Sequence, residues 1–360
     1  MSSNRVYWAV EALGFAPLGS NTYVAAKGVQ SVGVTTSFNL QPVFELGQSA
    51  VYQILEDIPD VQMTMEKVLD GFPLLYHLAT YGSSSATLFG RSPTRTNVAL
   101  SIFPDTNDSA SGAPNSMVMC SGMYVSAISY SFPVEGPFKE SITLVGNNKL
   151  WSTSATFSGG FTNTERPLAL TSNSGGIQRR QNMLFDTTGI VTTDVNGQLV
   201  STPTSPATIL PPDVAGINAN GSNSISTNGN YGCSIQNISV SCNLGREAIN
   251  ELGHKNPYFR FMSLPVEVTT EIEVLSKSGD WISATEAGVY ANGNNTRTSS
   301  IRLATREGTF IDLGTQNQCN NVTMTGGDTG GGQQNITYNF VTWNFFSVYA
   351  DQDPTGALAQ

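Results

Sequence analysis

The chain has 360 residues, of which 39% are hydrophobic and only 12% charged, with a formal net charge of −10 and a pI of about 4.7. It is long enough to bury two ordinary cores, and its 17 Phe, 12 Tyr and 4 Trp exclude a disordered acidic chain. The negative balance excludes a protein that wraps nucleic acid, which needs a basic face to displace counterions.

Residues 1–28 read as an irregular lead-in punctuated by Gly14, Pro17 and Gly19. Glu11 interrupts the apolar run and no small-residue cleavage site follows, so no signal peptide is expected. No stretch approaches 18 consecutive apolar residues, so no membrane anchor is expected either. From Val29 the period is two, with Val32, Val34, Thr36 and Phe38 on one face. A second alternating run carries Val61, Met63, Met65, Lys67 and Leu69. The short apolar run within 72–90 predicts a helix packed on the sheet, and Val98 to Pro104 a strand. Met117 to Phe132 and Phe138 to Gly146 read as strands joined at Glu135-Gly136-Pro137. Residues 152–230 are Ser, Thr, Asn, Gly and Pro with short apolar patches, which marks a long connection or arm. Its one basic knot is GGIQRRQ at 175–181.

Strand material returns with Ile238, Val240, Cys242 and Leu244, then Val266 to Val274. Residues 281–300 read as loop and 301–313 as strand, followed by two strands around the Gly-rich turn at 326–332. The block at 235–271, IQNISVSCNLGREAINELGHKNPYFRFMSLPVEVTTE, reads as a strand, a turn or helical segment, and a second strand. It has a diverged copy at 29–66. At a spacing of 206 (45 to 251), Gln30, Val34, Glu45, Leu46, Gly47, Tyr52 and Pro59 fall on Gln236, Val240, Glu251, Leu252, Gly253, Tyr258 and Pro265. Removing one residue then sets Val61, Thr64 and Glu66 on Val266, Thr269 and Glu271. Later in the copies, Ile142 and Thr143 fall on Ile336 and Thr337. The strand faces agree as well, and a one-residue slip would reverse every side chain. The expectation is a tandem duplication, with units at 29–151 and 231–350, a linker or arm at 152–230 and a tail at 351–360. Such a chain presents pseudo-symmetric interfaces, so three chains can close a ring of six similar units.

The block LGREAINELGHKNPYFRF…LPVEVTTEIEVL, with its first-half counterpart FELGQSAVYQILEDIPDVQMTMEKVLDG, resembles the tail tube proteins of tailed bacteriophages. The resemblance covers roughly 29–150 and 235–350. It implies a mainly β fold of two tandem antiparallel β-sandwich or half-barrel domains, with small helical segments at an edge. It further implies a structural virion protein, assembled in the host cytoplasm, whose sheets join between neighbours into one β-barrel ring. Trimeric rings that imitate hexamers would stack into the tail tube, the channel for genome delivery and ejection. The implied partners are other copies of the chain and further tail proteins: a sheath, a baseplate or tip, and a tail terminator. DNA passes through the lumen without specific binding.

No catalytic, cofactor-binding or metal-ligating residues are expected, and the chain is not expected to be an enzyme. His77 in LLYHLAT reads as a packed histidine and His254 as an exposed turn residue. Cys120, Cys233, Cys242 and Cys319 include no CxxC pair and read as free thiols, and two histidines add little to a zinc site. Asp57, Asp60, Glu66 and Asp70 could pair for glycoside hydrolysis, but acids beside strand ends are ordinarily solvated. The turn GGDTGGGQQ at 326–334 joins strands and opens no helix, so it reads as a hairpin tip. Arg179 and Arg180 suit an acidic neighbouring subunit better than nucleic acid. The alternative is a β-sandwich carbohydrate- or receptor-binding virion protein using Trp8, Trp151, Trp281 and Trp343 as a stacking platform.

Overall fold

The computed structural model of the chain describes residues 11–20, 23–80, 87–103, 114, 116–153, 176–183, 192–193, 199–200, 210, 234–254, 257–275, 298–305, 307–326 and 334–349. It is mainly β and antiparallel, with two short α-helices and a 3-10 turn at Arg180–Asn182 among the described residues. In chain order the first strands are β1 (Glu11–Pro17), β2 (Val24–Ala25), β3 (Val29–Ser37), β4 (Leu40–Phe44), β5 (Val51–Glu56) and β6 (Asp60–Val68). Helices α1 (Leu75–Ala79) and α2 (Leu88–Arg91) follow, then β7 (Thr96–Ile102), β8 (Ser116–Pro133), β9 (Lys139–Gly146) and β10 (Asn148–Ser152). A small hairpin, β11 (Thr192–Thr193) and β12 (Leu199–Val200), precedes β13 (Ser234–Asn243), β14 (Arg246–Ile249), β15 (Phe259–Met262) and β16 (Glu267–Leu275). The last strands are β17 (Thr298–Ser299), β18 (Arg302–Ala304), β19 (Phe310–Asp312), β20 (Asn317–Thr325), β21 (Asn335–Trp343) and β22 (Ser347–Tyr349).

Eight strands of a 13-stranded antiparallel sheet run side by side in the order β3-β6-β9-β8-β13-β16-β21-β20, with β7, β1, β2 and β10 branching from β8 and β17 on β20. It is the same four-strand order written twice, and the two halves meet where β8 pairs β13. The correspondence extends to irregularities that side-chain patterning does not dictate. The ladder is interrupted at Gln30 in β3 and at Gln236 in β13. It is interrupted again at Ser126 in β8 and at Asn320 in β20. Extra residues of this kind bend a strand and fix its register. The hairpins β4–β5 and β14–β15 also match: Leu40 faces Glu56 as Arg246 faces Met262, and Val43 faces Gln53 as Ile249 faces Phe259. At their tips Gly47 and Gly253 both take positive φ, 92° and 85°. Each tip closes with a turn in which Gln48 N–H donates to Glu45 O and His254 N–H to Glu251 O.

Two registers differ from the sequence expectation. After Pro59 and Pro265 the second copy has one residue more, not one fewer. Val61 stands opposite Thr36 as Val268 stands opposite Cys242. Likewise Ile142 matches Tyr338 and not Ile336, since Met65 faces Ile142 as Ile272 faces Tyr338. Both errors are of two residues, which leaves the in/out alternation intact and therefore invisible to hydrophobic pattern.

One face of the sheet is the core. Val61, Met63, Met65, Ile142, Leu144, Ile128, Tyr130, Val240, Ile272, Tyr338 and Phe340 are all buried there. Helix α1 packs on β1, β8 and β9. The small sheet β18-β19-β22 contributes Leu303, Ile311 and Val348 to the same cluster. The expected helical run within 72–90 is thus α1 and α2. The expected irregular lead-in is wrong for Glu11–Pro17: Ala12 to Ala16 are buried, and the strand pairs with β7 along its length. Its Gly and Pro were read as breakers, but Pro17 sits at the strand's end, where a missing donor costs little.

Buried charge anchors α1. Glu140, fully buried, accepts from the N–H of Leu75 at 2.7 Å, the N–H of Tyr76 at 3.1 Å and the Tyr130 hydroxyl at 2.8 Å. Facing it across the ladder is Lys67, whose ammonium donates to Lys27 O at 2.8 Å and is paired with buried Asp70. At the matching positions of the second half stand Val274 and Ile336. The copies have therefore diverged most where α1 docks.

Candidate assembly interface

The joint between the halves is a strand pair backed by a clasp. In β13, Ile238, Val240 and Cys242 are buried, and the ladder sets them opposite Phe132, Tyr130 and Ile128 of β8. Beyond the last paired residues the Leu244 N–H donates to Ser126 O at 2.8 Å, and the Leu244 side chain is 1% exposed. The hairpin β14–β15 then folds back onto the first half. Arg260 donates to Asp60 at 2.5 Å and to Asn147 Oδ1 at 3.1 and 3.2 Å. Arg246 donates to the carbonyls of Val125 and Ser92 at 2.7 and 2.8 Å and lies over the Tyr124 ring, 5.3 Å from its centroid. Phe259 packs edge-on against Tyr124, with centroids 5.2 Å apart. Burial at this joint lowers the Arg246 pKa to about 10, partly offset by the nearby Tyr124 and Tyr76.

The same two half-joints recur unpaired at the ends of the sheet. Strand β3, the counterpart of β13, pairs only with β6 among the described residues. Strand β20, the counterpart of β8, has its outer edge covered among the described residues only at Asn317 and Gln318, by the two residues of β17. The side chains are also only half finished. Val32, Val34 and Val322 are partly buried against the core, and Met324 is 45% exposed. Phe38, which corresponds to Leu244, is 70% exposed. Hairpin β4–β5 is exposed at every position, with Leu40, Phe44, Val51, Tyr52, Ile54 and Leu55 in contact with solvent. So long an open edge, flanked by apolar side chains, is an association template.

The face away from the core is polar and mostly uncharged, carrying Gln62, Thr64, Ser129, Ser141, Thr143, Ser239, Ser241, Thr269 and Asn339. The carboxylates Asp60, Glu66, Glu267, Glu271 and Glu273 lie on these strands, with Lys139 bonded to Glu66 at 2.8 Å. A shallow groove on this face runs over β8, β9, β13 and β16, lined by Ser129, Thr143, Ser241 and Thr269.

The residues singled out in the sequence do not converge. His77 is buried in α1 with Nε2 3.0 Å from Val348 O. His254 is exposed, 3.6 Å from the Glu251 carboxylate. Asp57 accepts from the Ile58 N–H, Asp60 belongs to the joint, Glu66 pairs with Lys139, and Asp70 is held by Lys67. Each of the four acids thus has its own structural partner. Arg179 and Arg180 are exposed beside Gln178, whose backbone bridges Leu69 O and the Phe138 N–H. Among the described residues Cys120, Cys242 and Cys319 form no disulfide; burial pushes the Cys120 thiol up to about 11 and that of Cys242 to about 12. Trp151 and Trp343 are exposed on different strands, while Trp8, Trp281, Cys233 and the Gly-rich residues 327–333 lie outside the described residues. The sequence reading missed Arg246 and Arg260. Their counterparts in the other copy are Leu40 and Ile54, so no shared motif marks them.

No protein-family model matches the chain, and no curated protein does. Among solved structures it is similar to a chain from the anti-feeding prophage baseplate, at 10% identity and a TM-score of 0.31, over 42% of this chain and 97% of that one. It is also similar to a chain from the cap that terminates the anti-feeding prophage tube, at 9% identity and a TM-score of 0.32, over 43% and 95%. At these values the likenesses carry no functional weight.

Proposed function

We propose that the chain is a structural subunit that joins end to end with copies of itself into closed rings, and that the rings stack as the tube of a phage-tail-like particle. One observation carries this reading: the two open edges of the sheet, β3 and β20, are the counterparts of the two strands that already pair inside the chain, β13 and β8. A joint between unlike edges is heterologous, and repeated at a rotation that divides the full turn it closes into a ring, where any other rotation gives an open filament. Closing the sheet on itself also removes both edges. Three chains supply the six four-stranded units that the duplication implies. The polar, carboxylate-bearing face then lines the channel, where like charge keeps a passing nucleic acid from adhering. The resemblance to tail tube proteins supports the same reading, which assigns the chain no catalysis and no cofactor.

Negative-stain electron microscopy of the purified full chain tests it. Rings or stacked tubes with an open centre are expected. A protein that stays monomeric at high concentration and is retained on a glycan column would replace this reading with the carbohydrate-binding one.

A further inference from the structure

The two hairpins occupy equivalent places, yet among the described residues only β14–β15 packs against the other half. Within the chain, β14–β15 grips the first half through Arg260, which reaches Asp60 and Asn147. The matching position in β4–β5 is Ile54, since Pro42 faces Ile54 as Ala248 faces Arg260. The positions in the second half that match Asp60 and Asn147 are Glu267 and Trp343, which face each other across β16 and β21. The guanidinium is thus replaced by an isoleucine and the amide by an indole, while the carboxylate is kept as Glu267. Ile54 is 53% exposed and Trp343 49% exposed.

We infer that the hairpin β4–β5 of one chain clasps the second half of the next, seating Ile54 against Trp343, so that the contact between chains is the apolar counterpart of the polar clasp within each chain. The occupant of the exposed hairpin is a second copy of this chain. What argues for it is continuity with the internal joint: a neighbour that paired β3 with β20 in the register of β13 on β8 would bring this hairpin over Trp343. The inference rests on the end-to-end reading above. The chemical division has a consequence for assembly. The internal clasp uses charge and hydrogen bonds, which tolerate water while the chain folds alone. The external clasp buries mainly apolar surface, so it depends on salt less than the internal one and forms only when chains meet.

The test uses the full chain in three variants: Ile54→Asp, Trp343→Asn, and Ile54→Arg combined with Trp343→Asn. Both residues are exposed in the single chain, so circular dichroism and the melting of dilute protein should not change. Ile54→Asp places a carboxylate against the face of the neighbour's indole and beside Glu267, and should raise the concentration for half-assembly, read by sedimentation velocity, at least tenfold. Trp343→Asn removes the seat and should weaken assembly as well, whereas the double variant rebuilds the Arg–Asn–carboxylate arrangement between chains, with Glu267 in the role of Asp60, and should assemble better than Trp343→Asn alone, a gain that shrinks as salt is added. If Ile54→Asp assembles at native concentrations, or the double variant is no better than Trp343→Asn alone, the clasp is refuted while native rings still uphold the end-to-end reading. A native protein that forms no rings refutes both.

Discussion

Replacing Phe38 by Ser separates the stability of the chain from the stability of the assembly. Phe38 is 70% exposed in the single chain, whereas Leu244, its counterpart at the internal joint, is 1% exposed. A phenylalanine that goes from one state to the other removes roughly 140 Å² of apolar surface from water. At about 25 cal/mol per Å² the upper bound is about 3.5 kcal/mol, and about 2 kcal/mol per joint is a fair figure once the ordering of the side chain is set against it. That is a loss of roughly thirtyfold at each contact between chains. The folded single chain should be unaffected to within about 0.5 kcal/mol, since little of the side chain is buried there. Sedimentation velocity over a concentration series reads the first quantity, and thermal melting of dilute protein reads the second. An unmoved assembly midpoint would remove Phe38 from the interface, and a fall in melting temperature of the dilute chain would place it in the core.

Arg246→Ala should act in the opposite sense, on the single chain. It leaves the Val125 and Ser92 carbonyls without their donor and uncovers Tyr124, at a cost of about 2 kcal/mol measurable by urea unfolding. Glu140→Ala leaves the Leu75 and Tyr76 amides and the Tyr130 hydroxyl without their acceptor, and should cost about 3 kcal/mol or more. The same group contributes a pH dependence, because burial raises its pKa above the ordinary carboxylate value against the pull of those hydrogen bonds. The native carboxyl holds its proton more tightly than the unfolded chain does. Its contribution is therefore full below the unfolded pKa and falls as pH rises through the native one. Glu140→Gln should flatten that fall in unfolding experiments run from acid to neutral pH, and an unchanged slope would assign it to another group.

Much of the fold could be read from period-two alternation, because one face of each long strand is buried. Val32, Val34 and Thr36 in β3 and Ile238, Val240 and Cys242 in β13 announce their strands in this way. The middle of the repeated block was harder. ELG at 45–47 and 251–253 suggested a turn or helix and is a turn, but the strands that flank it, β4–β5 and β14–β15, were not expected. Hairpin β4–β5 has no buried face and β14–β15 has at most part-buried residues, so neither shows a period of two. The registers after Pro59 and in β9 slipped by two residues because only contacts across the ladder distinguish them. Strand β1 was missed because a strand covered on both faces reads as an apolar run, and Gly14 and Pro17 broke even that. The candidate interface was the least legible part. Gln30, Gly47 and Tyr52 recur in both copies and revealed the duplication. The residues that form the contacts, Arg260 against Ile54 and Asn147 against Trp343, differ between the copies, so similarity could not find them.

The most direct test of trans pairing between β3 and β20 is a covalent one. In the register of the internal joint, Ser241 faces Ser129, and the counterparts Thr35 and Thr323 should face each other between chains. The chain carrying both Thr35→Cys and Thr323→Cys, oxidised at assembling concentration and run without reductant, should give a ladder of two and three linked chains that ends at three and dissolves on reduction. A chain carrying Thr35→Cys and Thr325→Cys, two residues out of register, should give none. Equal cross-linking in both, or none in the in-register chain while rings are seen by microscopy, would contradict the pairing of these edges.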